Sequence, residues 1–309
     1  MAATLTKETF LLTSSLDGLG LSGLMVRTAE KSAKGVVVLC HGMCEHKERY
    51  LPFMTFLAEQ GYHSLMIDHR GHGKSVLQKE DLGFLYAHGE RALVEDLAQV
   101  IDYAKERFPG EKVHLFGHSM GSLVVRLFLQ KRDRSIDSLV VSGCVAPNPA
   151  AGVGGLLARV IGMIKGQRYR SAFLQKMAFG AFNKPFGKGA PVNSWLSSDP
   201  KVVEAYNRDP LCGFNFTING YTALMKMMQL CYKKELYEVK SPELPILFIS
   251  GQEDPCCSGE KGFRSAVSFL KERGYTKVES RFYPGMRHEV LNELEKEKVY
   301  QDVVGFLES

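Results

Sequence analysis

The chain has 309 residues, enough for one large α/β domain or for a domain carrying an insertion. It is 45% hydrophobic and 24% charged, the make-up of an ordinary globular protein, which excludes a disordered chain. No apolar run approaches the ~20 residues of a spanning helix, and the net charge of +5 is local, because residues 146–240 hold 13 Lys+Arg against 5 Asp+Glu.

The first predicted elements form a β meander, with Phe10–Thr13 and Leu21–Arg27 flanking a turn at Asp17-Gly18. Gly35–Cys40 is a fully apolar strand leading into His41-Gly42-Met43. A helix over 49–61 and a strand at His63–Asp68 follow. Leu93, Val94, Leu97, Val100, Ile101 and Ala104 recur at three and four spacing and predict a longer helix, ended by Pro109-Gly110. Next come a strand at Val113–Phe116, a helix over Ser122–Gln130 and a strand at Ser138–Ser142. The alternation resumes at Ile246–Ser250 and continues through a helix at 259–273, a strand at 277–283 and a helix at 291–307. Alternating strands and helices predict a mostly parallel central sheet covered on both faces. Between 146 and 240 only helical patterns occur, after the Pro/Ala/Gly tract Pro147–Gly155. The expected division is therefore a core of 1–145 and 241–309 with a helical cap inserted at 146–240.

Seven scattered cysteines, odd in number and mostly in apolar surroundings, suggest free thiols. Met1–Phe10 lacks a basic segment followed by an apolar one. Together these features predict a cytoplasmic protein without a secretory leader. Cys40 and Cys44 have no second pair at ligand spacing, so no metal site is expected.

The most informative residue is Ser119, in Gly117-His118-Ser119-Met120-Gly121 between a strand and a helix. A serine between glycines at such a turn is a nucleophile elbow, and the associated chain order is nucleophile, acid, histidine. Eight of the nine histidines precede Ser119, which leaves His288 as the base. Between them, the buried strand Pro245–Ser250 ends in Gly251-Gln252-Glu253-Asp254-Pro255, where Asp254 is the expected acid and Glu253 its rival. A serine hydroxyl needs a base to become nucleophilic, and the base needs an acid to fix its tautomer. The amide of Met120, at the positive end of the following helix, is one expected oxyanion donor.

Gly-His-Ser-Met-Gly at 117–121, His-Gly-Met-Cys-Glu-His at 41–46, Asp-His-Arg-Gly-His-Gly-Lys-Ser at 68–75 and Gly-Gln-Glu-Asp-Pro at 251–255 resemble the α/β-hydrolase superfamily. More narrowly the chain is similar to the monoglyceride lipase and lysophospholipase group, and Asp209-Pro210-Leu211 in the cap resembles it too. The resemblance implies a second oxyanion donor at the Met43 amide. It implies bracing roles for His41, Asp68, Arg70 and His72. His118 is expected to point away from the nucleophile. The group usually has small residues where this chain has Met43 and Cys44, which narrows the pocket beside the oxyanion hole.

Two motifs are set aside. Gly18–Gly23 matches a dinucleotide-binding pattern but opens no helix, and Asn215-Phe216-Thr217 is a glycosylation acceptor only on a secretory route. The cap's apolar residues, among them Leu156, Met163, Ile164, Phe173, Met177, Phe182, Met225 and Met228, build either its own core and seam or an acyl tunnel. Phe173, Met177, Phe182, Met225 and Met228 are the expected substrate contacts. Arg159, Lys165, Arg168, Arg170 and Lys176 form either a solvated face or a transient contact with an anionic membrane surface. No nucleic-acid motif accompanies the charge.

The expected function is cofactor-free ester hydrolysis through an acyl-enzyme, as a monoacylglycerol lipase or lysophospholipase. A short-chain carboxylesterase, a thioesterase and an aminopeptidase share the triad. A non-catalytic ligand-binding protein is the alternative outside the enzyme class. The sequence sets no oligomeric state.

Overall fold

The computed structural model describes residues 5–309; the expectation of no leader in Met1–Phe10 lies partly outside them. Eight strands form one sheet: β1 (Thr6–Thr13), β2 (Gly20–Arg27), β3 (Gly35–Cys40), β4 (Tyr62–Ile67), β5 (Val113–His118), β6 (Ser138–Ser142), β7 (Ile246–Gly251) and β8 (Val278–Tyr283). Their order is β1-β2-β4-β3-β5-β6-β7-β8. β1 and β2 pair antiparallel, as do β2 and β4, and every later pairing is parallel. Gly18–Gly23 lies in the β1–β2 turn and the start of β2, so it opens no helix.

The buried strands read as continuous apolar runs because both faces are covered. Val37, Leu39, Phe116, Val140, Leu247 and Ile249 pack against α1 (Leu51–Glu59) and α9 (Lys296–Leu307). Val36, Val38, Leu115, Val141 and Phe248 face the other way, onto α2 (Gly89–Arg107), α3 (Met120–Arg132) and α8 (Gly259–Arg273). Successive residues of one strand thus serve opposite cores. From β3 the chain first moves outward to β4, then returns past β3 to β5. The carboxyl ends of β3 and β5 therefore lie side by side at the point where strand order reverses, with Cys40 paired to Gly117.

Between β6 and β7 the described chain is helical: α4 (Ala151–Lys165), α5 (Ala172–Phe179), α6 (Pro200–Arg208) and α7 (Ile218–Leu230), with short 3-10 turns. This segment has no large core of its own. Leu174, Phe216, Ile218, Tyr221, Leu224 and Met227 join the same apolar cluster as α2 and α3. Only Leu196, Tyr206 and Cys212 form a separate small group.

α4 reverses the expected amphipathicity. It buries Ala151, Gly154, Gly155, Ala158 and Gly162. Its large residues turn outward, with Met163 78% and Ile164 75% exposed. Small side chains let α4 lie close on α7, where Gly154 and Gly155 approach Met225. Leu156, Val160, Met163 and Ile164 are consequently neither a core nor a tunnel wall. Arg168 and Arg170 are not free on that face either. Arg168 pairs with Asp81, and Arg170 bonds the carbonyls of Glu80, Leu82 and Asn215.

Candidate active site

Ser119 stands between β5 and α3 with φ 53° and ψ −116°. A non-glycine residue rarely adopts such a backbone, so the surroundings must impose it. Its N–H donates to the Ser142 carbonyl at 3.0 Å. A Cβ on Gly121 would lie 2.3 Å from the Cys40 carbonyl oxygen and 2.6 Å from that of His41. Only glycine there lets the first turn of α3 sit against the end of β3. The same approach brings Gly42 beside Ser119, where an added Cβ would come within 3.0 Å of the serine Cβ. Met43 and Met120 both line the cavity next to Ser119.

Asp254 follows β7, and its position is set by a short turn, Pro255–Cys257, that it caps. Its Oδ1 accepts from the Cys256 N–H at 2.8 Å and from His288 Nδ1 at 2.9 Å, and its Oδ2 accepts from Ser250 Oγ at 2.8 Å. Capping and histidine binding are therefore done by one carboxylate. Glu253 points to solvent and pairs with Arg287. A Cβ on Gly251 would sit 2.1 Å from the Met286 carbonyl oxygen, so glycine lets the histidine loop lie against β7.

His288 and Asp254 are each 2% exposed. Burial disfavours the imidazolium, but the Asp254 carboxylate outweighs it and raises the His288 pKa above 6.5. Burial likewise raises Asp254, and the His288 charge and hydrogen bond more than reverse it, leaving its carboxyl below 3.8. Nδ1–H donating to Asp254 fixes the tautomer with the lone pair on Nε2. That nitrogen faces Cys256 Sγ at 3.9 Å. Among the described residues no direct hydrogen bond joins it to the Ser119 hydroxyl, although both side chains line one cavity. Serine–histidine contacts of this kind commonly tighten only when substrate is bound.

The loop after β3 is tied down from several sides. His41 Nε2 accepts from the His69 N–H at 2.8 Å, so its Nδ1–H donates to the Gly42 carbonyl. Gly42 N–H donates to Glu45 Oε1 at 2.6 Å. Arg49 then bridges Glu45 and Glu289, joining this loop to the one that carries His288. Burial opposes the Glu289 charge, yet Arg49 holds that carboxyl below its ordinary value. Asp68 accepts from the N–H groups of Lys47 and Lys74 and from Lys47 Nζ. Arg70 is clamped by Asp17 and Asp96, and His72 Nδ1 bonds the Arg70 carbonyl. The bracing roles expected of His41, Asp68, Arg70 and His72 are what these contacts amount to.

His118 bonds locally, through Nδ1 to Ser142 Oγ at 3.3 Å. It nevertheless lines the cavity, with its ring 4.6 Å from that of His288. Burial and the His288 charge depress its pKa to about 3, which makes it a neutral neighbour.

The cavity above Ser119 measures about 270 Å³. Met177, Phe182, Met225 and Met228 line it, whereas Phe173 does not and is 60% exposed. Trp195, Phe179, Tyr206, Phe214, Tyr221 and Leu224 complete the apolar wall. Trp195 was not legible as a site residue. It reaches His288 through a long loop, its carbonyl accepting from the His288 N–H at 3.3 Å and its ring 5.0 Å from the imidazole. Cys44 lines the cavity and also ties its seam: its thiol donates to the Phe214 carbonyl, and its own carbonyl accepts from Tyr206 and Gly213. Among the described residues two groups have metal-ligand chemistry, His46 with Asp209 and Cys212, and Asp254 with Cys256 and His288; Cys40 and Cys44 belong to neither.

A family model described as serine aminopeptidase, S33, matches residues 31–295. The chain belongs to this family of α/β hydrolases. The monoacylglycerol lipase of Mycolicibacterium smegmatis is 29% identical over 289 residues, 92% of this chain and 91% of that protein. The human monoglyceride lipase is 25% identical over 272 residues, 84% of this chain and 77% of that one. A carboxyl esterase from Bacillus coagulans shares the fold with a TM-score of 0.89 at 23% identity, covering 98% of this chain and 100% of that one. Family membership and fold agree with the resemblance carried by the elbow and its companion motifs.

Proposed function

We propose that this protein hydrolyses monoacylglycerols or lysophospholipids through an acyl-enzyme on Ser119. The observation that carries the reading is the buried Asp254–His288 pair opening onto the same apolar cavity as a strained serine elbow. The monoacylglycerol lipase and monoglyceride lipase relatives support a small lipid ester as substrate.

His288 Nε2 takes the Ser119 proton as Oγ attacks the ester carbonyl. The carbonyl oxygen becomes an oxyanion facing the Met43 and Met120 amides, donors worth about 10²–10³ each in turnover. The C–O bond breaks, the alcohol leaves with the proton from His288, and the acyl group stays on Ser119. Water repeats the sequence and releases the fatty acid. Asp254 holds the ring and stabilises its charged form without taking a proton.

The family description favours a second reading, an aminopeptidase. Such an enzyme needs an unpaired carboxylate for the substrate's amino group. The two glutamates lining the cavity, Glu45 and Glu289, are both engaged by Arg49, so the ester reading is preferred. Residues 146–240 are the cap. Exposed Leu156, Met163, Ile164 and Phe173, beside Arg159, Lys165 and Lys176, which form no ion pair among the described residues, suit docking on an anionic lipid surface. No described helix is long and apolar enough to cross a membrane. Seven free cysteines suit a reducing cytoplasm.

A hydrolysis panel tests the reading: monoacylglycerols, lysophospholipids, short aryl esters, acyl thioesters and aminoacyl amides at matched concentration. The lipid esters should be turned over fastest. Preference for aminoacyl amides refutes the lipid assignment and leaves the triad standing.

A further inference from the structure

We propose that Cys256 and His288 form an inhibitory site for a thiophilic divalent cation such as Zn²⁺ or Cd²⁺. The inference rests on the reading of His288 as general base.

The geometry is that of a chelating pair. Cys256 Sγ lies 3.9 Å from His288 Nε2. Two ligands on one tetrahedral zinc, at about 2.3 Å for sulfur and about 2.0–2.1 Å for nitrogen, stand roughly 3.6 Å apart. A shift of a few tenths of an ångström therefore closes the chelate. The ring is already in the tautomer a metal requires. Its Nδ1–H donates to Asp254, which leaves the Nε2 lone pair directed at the sulfur. A carboxylate behind a histidine in this way orients the ring and raises its basicity as a ligand. Asp254 sits on the Nδ1 side and is thus a support for the histidine, not a third ligand.

Access separates this pair from the other thiols. Cys256 is half-buried and lines the open cavity; Cys44 lines it too but is buried, with its thiol bonded to the Phe214 carbonyl, and the other five cysteines are buried. The second cluster, His46 with Asp209 and Cys212, has both imidazole nitrogens already engaged, by Glu48 and Asp209. No imidazole lone pair remains there for a metal.

Binding replaces the thiol S–H bond by an S–metal bond and sends the proton to solvent. His288 Nε2 donates its lone pair, and water fills the remaining positions. The metal then occupies the nitrogen that must accept the Ser119 proton, so hydrolysis stops until a chelator removes it. A soft thiolate with an imidazole selects Zn²⁺ and Cd²⁺ over Mg²⁺ and Ca²⁺.

Two readouts on the full-length protein test this. Cd²⁺ titration followed by thiolate-to-metal charge-transfer absorption should show one site per chain. The signal should be lost in Cys256→Ser and Cys256→Ala and retained in Cys212→Ser. Zn²⁺ should inhibit hydrolysis of a soluble aryl ester, reversibly with EDTA. Inhibited and uninhibited rates are compared within each variant, so basal turnover does not enter. The inhibition constant should rise at least about tenfold in both Cys256 variants, while Mg²⁺ has no effect. No charge-transfer band in the wild type, or a band and inhibition unchanged in both Cys256 variants, overturns the site. A Cys256-dependent band without inhibition shows a cation on the thiol alone and overturns the chelate with His288, whereas a wild type that binds the cation but hydrolyses no ester overturns the proposed function and leaves the site standing.

Discussion

Asp254→Asn isolates the charge of the acid from its geometry, because of how that side chain is held. Oδ1 already serves two donors, the Cys256 N–H and His288 Nδ1, while Oδ2 faces only the Ser250 hydroxyl. In the variant the amide oxygen keeps the Oδ1 place, since the backbone N–H requires an acceptor. The new NH2 faces Ser250 Oγ, which rotates to accept. His288 then retains its tautomer and loses only the carboxylate charge. Two unit charges about 4 Å apart interact by about 4 kcal/mol at an effective dielectric of about 20. The loss falls on the imidazolium of the transition state and corresponds to about 10³ in kcat. A flipped tautomer would cost more, about 10⁴. The pH profile supplies an independent check. The neutral ring is the working form, so the rate rises with pH through the His288 pKa, which lies above 6.5 in the native protein. Without the carboxylate, burial weighs more heavily and the acid limb moves to lower pH, in the direction already taken by neighbouring His118. The assay is aryl-ester hydrolysis against pH, with circular dichroism to establish folding. A folded variant losing less than about tenfold, or one whose acid limb does not move, refutes the assigned role.

Three further outcomes follow from the same contacts. His46 bridges Glu48 and Asp209, and these bonds outweigh burial to raise its pKa above 6.5. Its stabilisation is full below 6.5 and fades as pH rises through the folded value. The Tm difference between wild type and His46→Gln should therefore shrink from acidic to alkaline pH, and a constant difference refutes the bridge. Met163→Ser with Ile164→Ser removes exposed apolar surface from α4. Sedimentation with anionic liposomes should drop while soluble-ester turnover stays within about twofold, as for other exposed changes; unchanged sedimentation refutes lipid docking. Trp195 is the single tryptophan, and its ring lies tilted at 42°, 5.0 Å from that of His288. Its fluorescence should titrate with an apparent pKa above 6.5, and His288→Gln should abolish that step.

The core and the triad candidates were legible because they depend on rules that act over short spans. The glycines at 117 and 121 mark a turn whose neighbours leave no room for a Cβ. A single downstream histidine removed the choice of base. Between Asp254 and Glu253 the sequence left a rivalry; in the structure Asp254 bonds His288 Nδ1 while Glu253 pairs with Arg287. The helical segment was harder to read. Hydropathy sends Met163 and Ile164 inward, but a stripe of small residues offers α7 a closer approach, and the large ones turn out. Phe173 left the cavity for the same kind of reason, sharing α5 with Leu174, which took the buried face. Trp195 and Cys256 belong to the site through loop closures that no local pattern encodes. Arg168 and Arg170 read as surface charge, yet they pin the segment to the loop at residues 80–82.

The central claim is that Ser119 is the nucleophile. Its most direct test is covalent labelling with a fluorophosphonate, followed by mass spectrometric mapping of the modified peptide. The account predicts one adduct per chain on Ser119 in the wild type and none in a folded Ser119→Ala protein. An intact wild type that stays unlabelled, or an adduct on another residue that persists in the alanine variant, would contradict it.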